Sequence, residues 1–496
     1  MFNVLNYGAD PTGEADSTNA IQAAINAAGS AGGGVVFMPE GTYRVKPQGN
    51  NNQALLINKN GIVLRGAGAE KTRIFNDEHN MRRKTIIRAQ GSTSSWTARP
   101  SGSTERLITS DLFTPTHVIP VSSTSGFSVG DWVMLRADMT DAFAADHNML
   151  DLWGGGIYNP LKGVTFQRKI TAINSTARTI TIDVPIRYYL RPRDNARVHH
   201  LHGQLLNIGM EDFSIGNVQH PNSGLSTGWG EDHYTVEGTN AYEVHDSWAI
   251  RYDRVRDSWI SRVESYLPTV NTVEAHLLSN GISVRQSNSV TIEHADFQRP
   301  LYGGGGGNGY MYVIGNSNEI LIRDSAARYS RHGFSIIDMG SSGIVFLRFL
   351  DQETSRQVVR TGATSGRGSD HHKYLSQSNL VDTSIANASW FEAKWRGNSG
   401  GSISHGQTSV HTVFWNTEGL SYWEHLFSGQ YVSYVVRSDQ ARHGYIIGTR
   451  GPASGILTDV TAGRTEPRDF REGVGMGDTL SPFSLYEDQL AGRLNR

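Results

Sequence analysis

One segment near the start of the chain has helical periodicity, and most of the rest reads as short strands. Ile21, Ala24, Ile25 and Ala28 recur at the spacing of one helix face. Asp16, Ser17 and Thr18 offer N-cap oxygens ahead of them, and Gly32-Gly33-Gly34 ends the run. The pattern predicts an amphipathic helix over residues 16–29. Around it, Phe2-Asn3-Val4-Leu5 reads as a short strand and Val35-Val36-Phe37 as a buried one. Residues 113–190 differ in texture. Val118-Ile119-Pro120-Val121, Trp132-Val133-Met134-Leu135 and Ile180-Thr181-Ile182-Asp183-Val184 alternate as strands, punctuated by Gly126 and Gly130-Asp131. They predict a β-rich insertion with a long loop around Asp146 to Lys162. From about residue 200 a single form recurs in DSWISRVES, NSVTIEHADF, NEILIRDSAA and SGIVFLRFLD: a small polar turn, then a short alternating strand. Aligning Ile260, Val290, Ile320 and Val345 gives steps of 30, 30 and 25 residues. Parallel strands stacked coil upon coil produce such a period, and no paired amphipathic helices suggest an α-solenoid.

The opening stretch, YGADPTGEADSTNAIQAAINAA followed by GGGVVFMPEGTYRV, resembles the start of pectate-lyase-superfamily β-helix proteins. That superfamily includes polygalacturonase-like hydrolases, β-1,3-glucanases and phage tailspikes. The resemblance is carried by roughly the first 70 residues and, beyond them, by repeat texture. It implies an all-β fold, a right-handed single-stranded parallel β-helix, whose N-terminal end is plugged by the predicted helix where a raw sheet edge would otherwise be exposed. The expected organisation is a cap with the first coils over 1–112 and the β-rich insertion over 113–190. The main β-helix with its active-site loops follows over 191–460, and a tail with a short helix at Ser484 to Arg493 over 461–496.

Composition narrows the function classes. The formal net charge is −2, so no global field points to nucleic acid or anionic lipid. There is no cysteine, which excludes disulfides, thiolate chemistry and cysteine-bound metals. No apolar stretch is long enough to span a bilayer. MFNVLNYGAD lacks the basic and apolar regions of a signal peptide. The expected setting is nonetheless secreted or periplasmic, with a polysaccharide as partner and a monomer or side-by-side homo-oligomer as the assembly. Of 45 cations 37 are arginine, a bias that high-GC codon usage also produces.

A β-helix binds extended chains along one sheet face, with insertions between strands as groove walls. Three insertions carry the chemistry. In 226–248, Asp232 and Glu237 are catalytic candidates, with Trp229, Tyr234 and His245 as substrate contacts, because aromatic faces stack on sugars and carboxylates perform acid–base work. In 360–380, Asp370 and His371 are catalytic candidates, and Arg360 and Arg367 are substrate contacts. In 390–416, Glu392, Lys394 and Arg396 share one face of a strand while Phe391, Ala393 and Trp395 face the core. Glu392 is the catalytic candidate there, with Lys394, Arg396, His405 and Trp415 as substrate contacts. The second and third insertions are expected on adjacent ledges, and all three on one groove.

The leading expectation is a glycoside hydrolase using paired carboxylates. The polygalacturonase pattern is not met: paired Asp-Asp and Gly-His-Gly are missing, with only Ser404-His405-Gly406 nearby. One alternative is a polysaccharide lyase, with cations neutralising a uronate carboxylate and a base taking the C5 proton. Another is a glycan-binding tailspike or adhesin. No metal site and no cofactor are expected, except calcium if the protein is a lyase.

Overall fold

The computed structural model of the chain describes all residues except 94–96, 98, 156–161, 360–367, 398–404, 426–428, 430 and 496. The alternating segments close into coils of a right-handed parallel β-helix, and the inward residues of each coil stack on those of the next. One sheet face comprises β1 (Gln53–Ile57), β2 (Thr85–Gln90), β3 (Trp248–Asp253), β4 (Asn280–Arg285), β5 (Tyr310–Gly315), β6 (His332–Ile337), β7 (Ser369–Lys373), β8 (Phe391–Ala393), β9 (Val436–Ser438) and β10 (Ile456–Thr458). Each pairs in parallel with the next. The other two faces merge into one continuous sheet of 22 strands because long strands such as Gly209–Asn217 and Val255–Ser265 bend from one face to the next. Ile87, Ile250, Ile282, Tyr312, Phe334, Phe391 and Val436 are fully buried and belong to the central core. The repeat alignment is displaced in register at its ends: Val290 pairs with Ile320, but Ser258 rather than Ile260 opens that row and Ile344 rather than Val345 continues it. An offset of two residues preserves the face, and an offset of one reverses it. Val345 accordingly points outward while Ile344 fills the core.

Helix α1 (Thr18–Ser30) closes the N-terminal end, with Ile21, Ala24, Ile25 and Ala28 in the core. All three open sheet edges are capped there. Phe2-Asn3 pairs with Val36-Phe37. Asp16 bridges to Arg44, and Lys46 N–H donates to Thr18 Oγ1 at 2.9 Å. On the third edge the Gln22 amide stands in for a strand: it accepts from Leu56 N–H at 2.8 Å and donates to Leu56 C=O at 2.9 Å. Ser17 is the N-cap residue by position, yet its hydroxyl bonds Asp10 instead of the helix. Leu5 falls in a 3-10 turn (Val4–Tyr7) rather than the first strand, since Asn3 caps Leu5 N–H.

The insertion is an antiparallel sheet of six strands, from Glu105–Leu107 to Arg197–His200. The stretch around Asp146 contains two short helices, Asp141–Asp146 and Leu150–Trp153. Its core joins the solenoid through Met339, Tyr374, Leu375, Val410 and Ala441. The C-terminal helix, Leu485–Leu494, is capped by Ser484, whose hydroxyl also bonds Asp382. No helix among the described residues is long and apolar enough to cross a membrane.

Candidate functional site

On the outer side of the β1–β10 face, β7 and β8 bring the second and third insertions together. Asp370 and Glu392 are directly paired neighbours, so their carboxylates project side by side. Asp370 is fully buried and held by three donors: Ser335 Oγ at 2.6 Å on one oxygen, His372 Nδ1 at 2.7 Å and Arg396 Nη1 at 2.5 Å on the other. Glu392 accepts from Trp390 Nε1 at 2.9 Å and pairs with Lys394 Nζ at 3.2 Å. The guanidinium nitrogen that grips Asp370 also lies 3.8 Å from Glu392.

A β-bulge sets this geometry. Ile336 pairs with His371 and Ile337 with Lys373, which leaves His372 as the extra residue. His371 therefore turns inward and His372 toward Asp370. A carboxylate only accepts, so the 2.7 Å contact with Asp370 assigns the proton to His372 Nδ1 and a lone pair to Nε2; Arg396 Nη1, 3.2 Å from the same Nδ1, is spent on Asp370 instead. Burial, and then the Arg396 charge, hold His372 well below the ordinary histidine pKa, leaving a neutral imidazole at neutral pH. His332 is buried beside it, donates Nδ1–H to Gly368 C=O at 2.7 Å and has no partner for its buried Nε2. Its pKa is also pulled well down, mainly by desolvation. Tyr310 packs edge-on against His332, and His405 edge-on against His372. Burial lowers His405 to about 4.

The first insertion forms a wall of the same region. Arg331 pairs with Glu231 at 3.1 Å, and the 230–231 backbone accepts from Tyr302 Oη and Gly305 N–H. Glu231, rather than Asp232 or Glu237, is thus tied to the residue preceding His332, while Asp232 and Glu237 are exposed on that loop. Several expected roles need correction. His371 is a core residue, bonded to Glu392 C=O at 3.1 Å and to Thr412 Oγ1, and it contacts Phe334 and Phe414. Trp229 is buried in the core with its indole N–H on Asn222 C=O, so its face is not open to a sugar. His245 is buried against Asn308, and Tyr234 packs on His245. Trp415 lies on another face of the helix, bonded to Pro482 C=O of the tail. In each of these the side chain is consumed by packing, which residue type does not reveal. Arg360 and Arg367 lie outside the described residues. Lys394, Arg396 and His405 do join the cluster. His332, Tyr310 and Ser335 went unnoticed because they sit in regular repeats rather than insertions; the signal was polar residues at outward positions of SRHGFSIID.

Among the described residues two groups could hold a metal ion: His332, Asp370 and His372, and, outside this cluster, His79, His220 and Glu243. The first is richer in imidazole than calcium favours and suits a transition ion better, but Arg396 already engages its carboxylate. In the second, Asn222 N–H donates to His220 Nδ1, which puts the proton on Nε2, facing Glu243.

Comparisons with known proteins agree with this architecture. Residues 1–247 match the family model described as rhamnogalacturonase A/epimerase, pectate lyase-like. A mannuronan C5-epimerase, AlgE3 of Azotobacter vinelandii, is 47% identical over 72 residues, 14% of this chain and 4% of that protein. Alginate lyase 7 of the same organism is 45% identical over 71 residues, 14% of this chain and 8% of that protein. The tailspike gp49 of Pseudomonas phage LKA1 has a similar fold, with a TM-score of 0.50 at 13% identity over 92% of this chain and 64% of that one. The matches therefore span only a small part of the curated relatives and less than two thirds of the tailspike.

Proposed function

We propose, on the premise that the chain belongs to the pectate-lyase-like superfamily of parallel β-helix proteins, that it abstracts the C5 proton of a uronate residue in an acidic polysaccharide. A carbohydrate-active or glycan-binding role is the common ground of the superfamily, and the arrangement around β7 supports this finer reading. The observation that carries it is the Asp370–His372 pair: a buried carboxylate fixes one imidazole nitrogen and leaves the other as a neutral base. Lys394 and Arg396 stand beside it, suited to neutralising the uronate carboxylate and thereby acidifying the C5 proton. His372 Nε2 takes that proton. If the C4–O bond then breaks, the leaving oxygen is protonated and an unsaturated uronate remains, which is a lyase. If instead solvent delivers a second proton to C5 from the opposite face, His372 later releasing the one it took, the product is the C5 epimer. The relatives that match over 71–72 residues are named as a mannuronan C5-epimerase and an alginate lyase, which supports an acidic polymer as substrate, and the expected setting is secreted or periplasmic.

Glycoside hydrolysis is the second reading, favoured by the adjacency of Asp370 and Glu392. Hydrolysis requires the carboxyls to flank the scissile bond, roughly 5–10 Å apart. Here both approach one guanidinium and lie on one floor. Incubation of the protein with polymannuronate, alginate, polygalacturonate and a neutral glucan in D2O separates the readings. Deuterium at C5, the mark of epimerisation, or the ultraviolet absorbance of an unsaturated end, the mark of elimination, is the expected result. New reducing ends with neither signal would establish the hydrolase instead.

A further inference from the structure

The outer face of β2–β4 carries a group of cations that the proposed chemistry does not use. Arg88, Arg251 and Ser283 are successive partners across β2, β3 and β4, and the same column continues through Val313 and Ser335 to Asp370, Glu392 and Arg437. One row of outward positions therefore runs from Arg88, past the reactive cluster, to Arg437. Asp253 alone bridges two of the arginines, with Arg88 Nε at 2.7 Å and Arg251 Nη2 at 3.1 Å. Arg285, one column over, donates to Ser283 Oγ at 3.1 Å and has no ion-pair partner among the described residues. Arg254, at the turn after β3, spends its guanidinium on Gln286 and the Gly91 carbonyl. Burial, and then the Arg251 charge, depress the pKa of Arg285, while Asp338, Asp253 and Asp246 act against the shift. Between this end and the reactive cluster, Trp248, Tyr310, Val313 and Ile337 are buried against one another in a small apolar cluster separate from the main core.

We infer that Arg88, Arg251 and Arg285 form an anion subsite for a distal uronate of the same glycan chain whose reacting residue sits at His372. This deepens the proposed function and rests on it for the location of the reacting residue. From β3 to β7 there are four rungs, roughly 19 Å at the spacing of parallel strands. The occupant is accordingly an extended acidic oligosaccharide lying along the helix axis and ending with a carboxylate on the arginines. A neutral chain would gain nothing from the arginine end.

The test uses the full chain and size-fractionated oligomannuronates and oligogalacturonates, with binding measured calorimetrically at low and high salt. Wild-type affinity should rise about tenfold or more between a trimer and an octamer, since each charge-assisted contact of this kind is worth on the order of one decade. The double substitution Arg251→Gln with Arg285→Gln should remove most of that rise. If it impairs folding, Ser283→Asp, which adds a carboxylate between the two arginines, should remove it as well. High salt should flatten the length dependence of the wild type. Octamer binding by R251Q/R285Q or S283D that equals the wild type overturns the subsite, even if C5 exchange is observed. Length- and arginine-dependent binding with neither C5 exchange nor an unsaturated product leaves the subsite standing and removes the proposed chemistry.

Discussion

At the scale of single residues, His372 and Asp370 carry the chemistry through different properties. His372→Ala removes the base, so C5 exchange should fall about 10²- to 10⁴-fold. Asp370→Asn is nearly isosteric but loses the acceptor that holds the proton on His372 Nδ1, so the ring can adopt the unproductive tautomer. Its rate should fall comparably while oligosaccharide affinity changes less than the rate. Equal turnover in either variant, measured as deuterium uptake, removes that residue from the mechanism. Because burial and Arg396 push His372 down from its ordinary value, the base stays neutral well into acid. The acid limb of the rate profile should therefore lie below pH 6.5, the unperturbed histidine value. The residue types at this site were legible: Asp370, Glu392, Lys394, Arg396 and His405 all stood out as polar clusters after glycines. Which of two consecutive histidines faced outward was not legible, because a bulge decides it and bulges leave no trace in residue type. Trp229 and Trp415 show the same limit, since an aromatic that stacks on sugar and one that fills a core look alike in sequence.

At the scale of elements, the N-terminal cap shows how a helix terminates sheets. Gln22 substitutes for a missing neighbour strand by bonding both polar groups of Leu56. Gln22→Leu should cost about 1–2 kcal/mol, because a partly buried N–H and C=O lose their partners. It should also expose the leading edge of β1 as a pairing template. Chemical denaturation and light scattering measure the two effects, and an unchanged midpoint with no association would show that solvent satisfies Leu56 as well as Gln22 does. The helix itself was legible because its apolar period contrasts with every segment around it. The strands were legible as alternation, but their register was not: residues with positive φ interrupt the alternation inside strands, as at Asp257 and Glu319, and at bends between them, as at Asp324. The extent of the insertion was blurred for a related reason, since its outer strands, Glu105–Leu107 and Arg197–His200, meet across nearly ninety residues of sequence.

At the scale of the whole molecule, stability should depend on pH with a sign set by buried histidines. His147, His276, His371, His405 and His411 are each drawn down to about 4, chiefly by burial. Their unfolded counterparts titrate near 6.5, so between about pH 6.5 and 4 the unfolded chain binds more protons and stability falls with acidification. Carboxyls raised by burial oppose this. Asp351 and Asp382 are raised to about 6, so their contribution grows as pH drops through 6 toward the ordinary carboxylate range, and Glu264, Asp296, Asp338 and Asp469 are raised as well. His199, His220, His245, His332 and His372 are depressed too, so the histidines outweigh the carboxyls and Tm should be lower at pH 5 than at pH 7.5. The loss should begin where the insertion meets the solenoid. There His147 bonds Tyr188 Oη at 2.5 Å, Tyr188 packs on His411, and Gln407 donates to His147 C=O. Calorimetric scans should accordingly show an early transition splitting off as the pH falls. Asp351→Asn provides the opposite sign: it removes a carboxylate from the interior beside Ser369 and Ser389, so relative to wild type its Tm should rise between pH 5 and pH 8. A wild-type Tm that is flat or increasing from pH 7.5 to 5 would mean that the histidines remain hydrated enough to protonate in place.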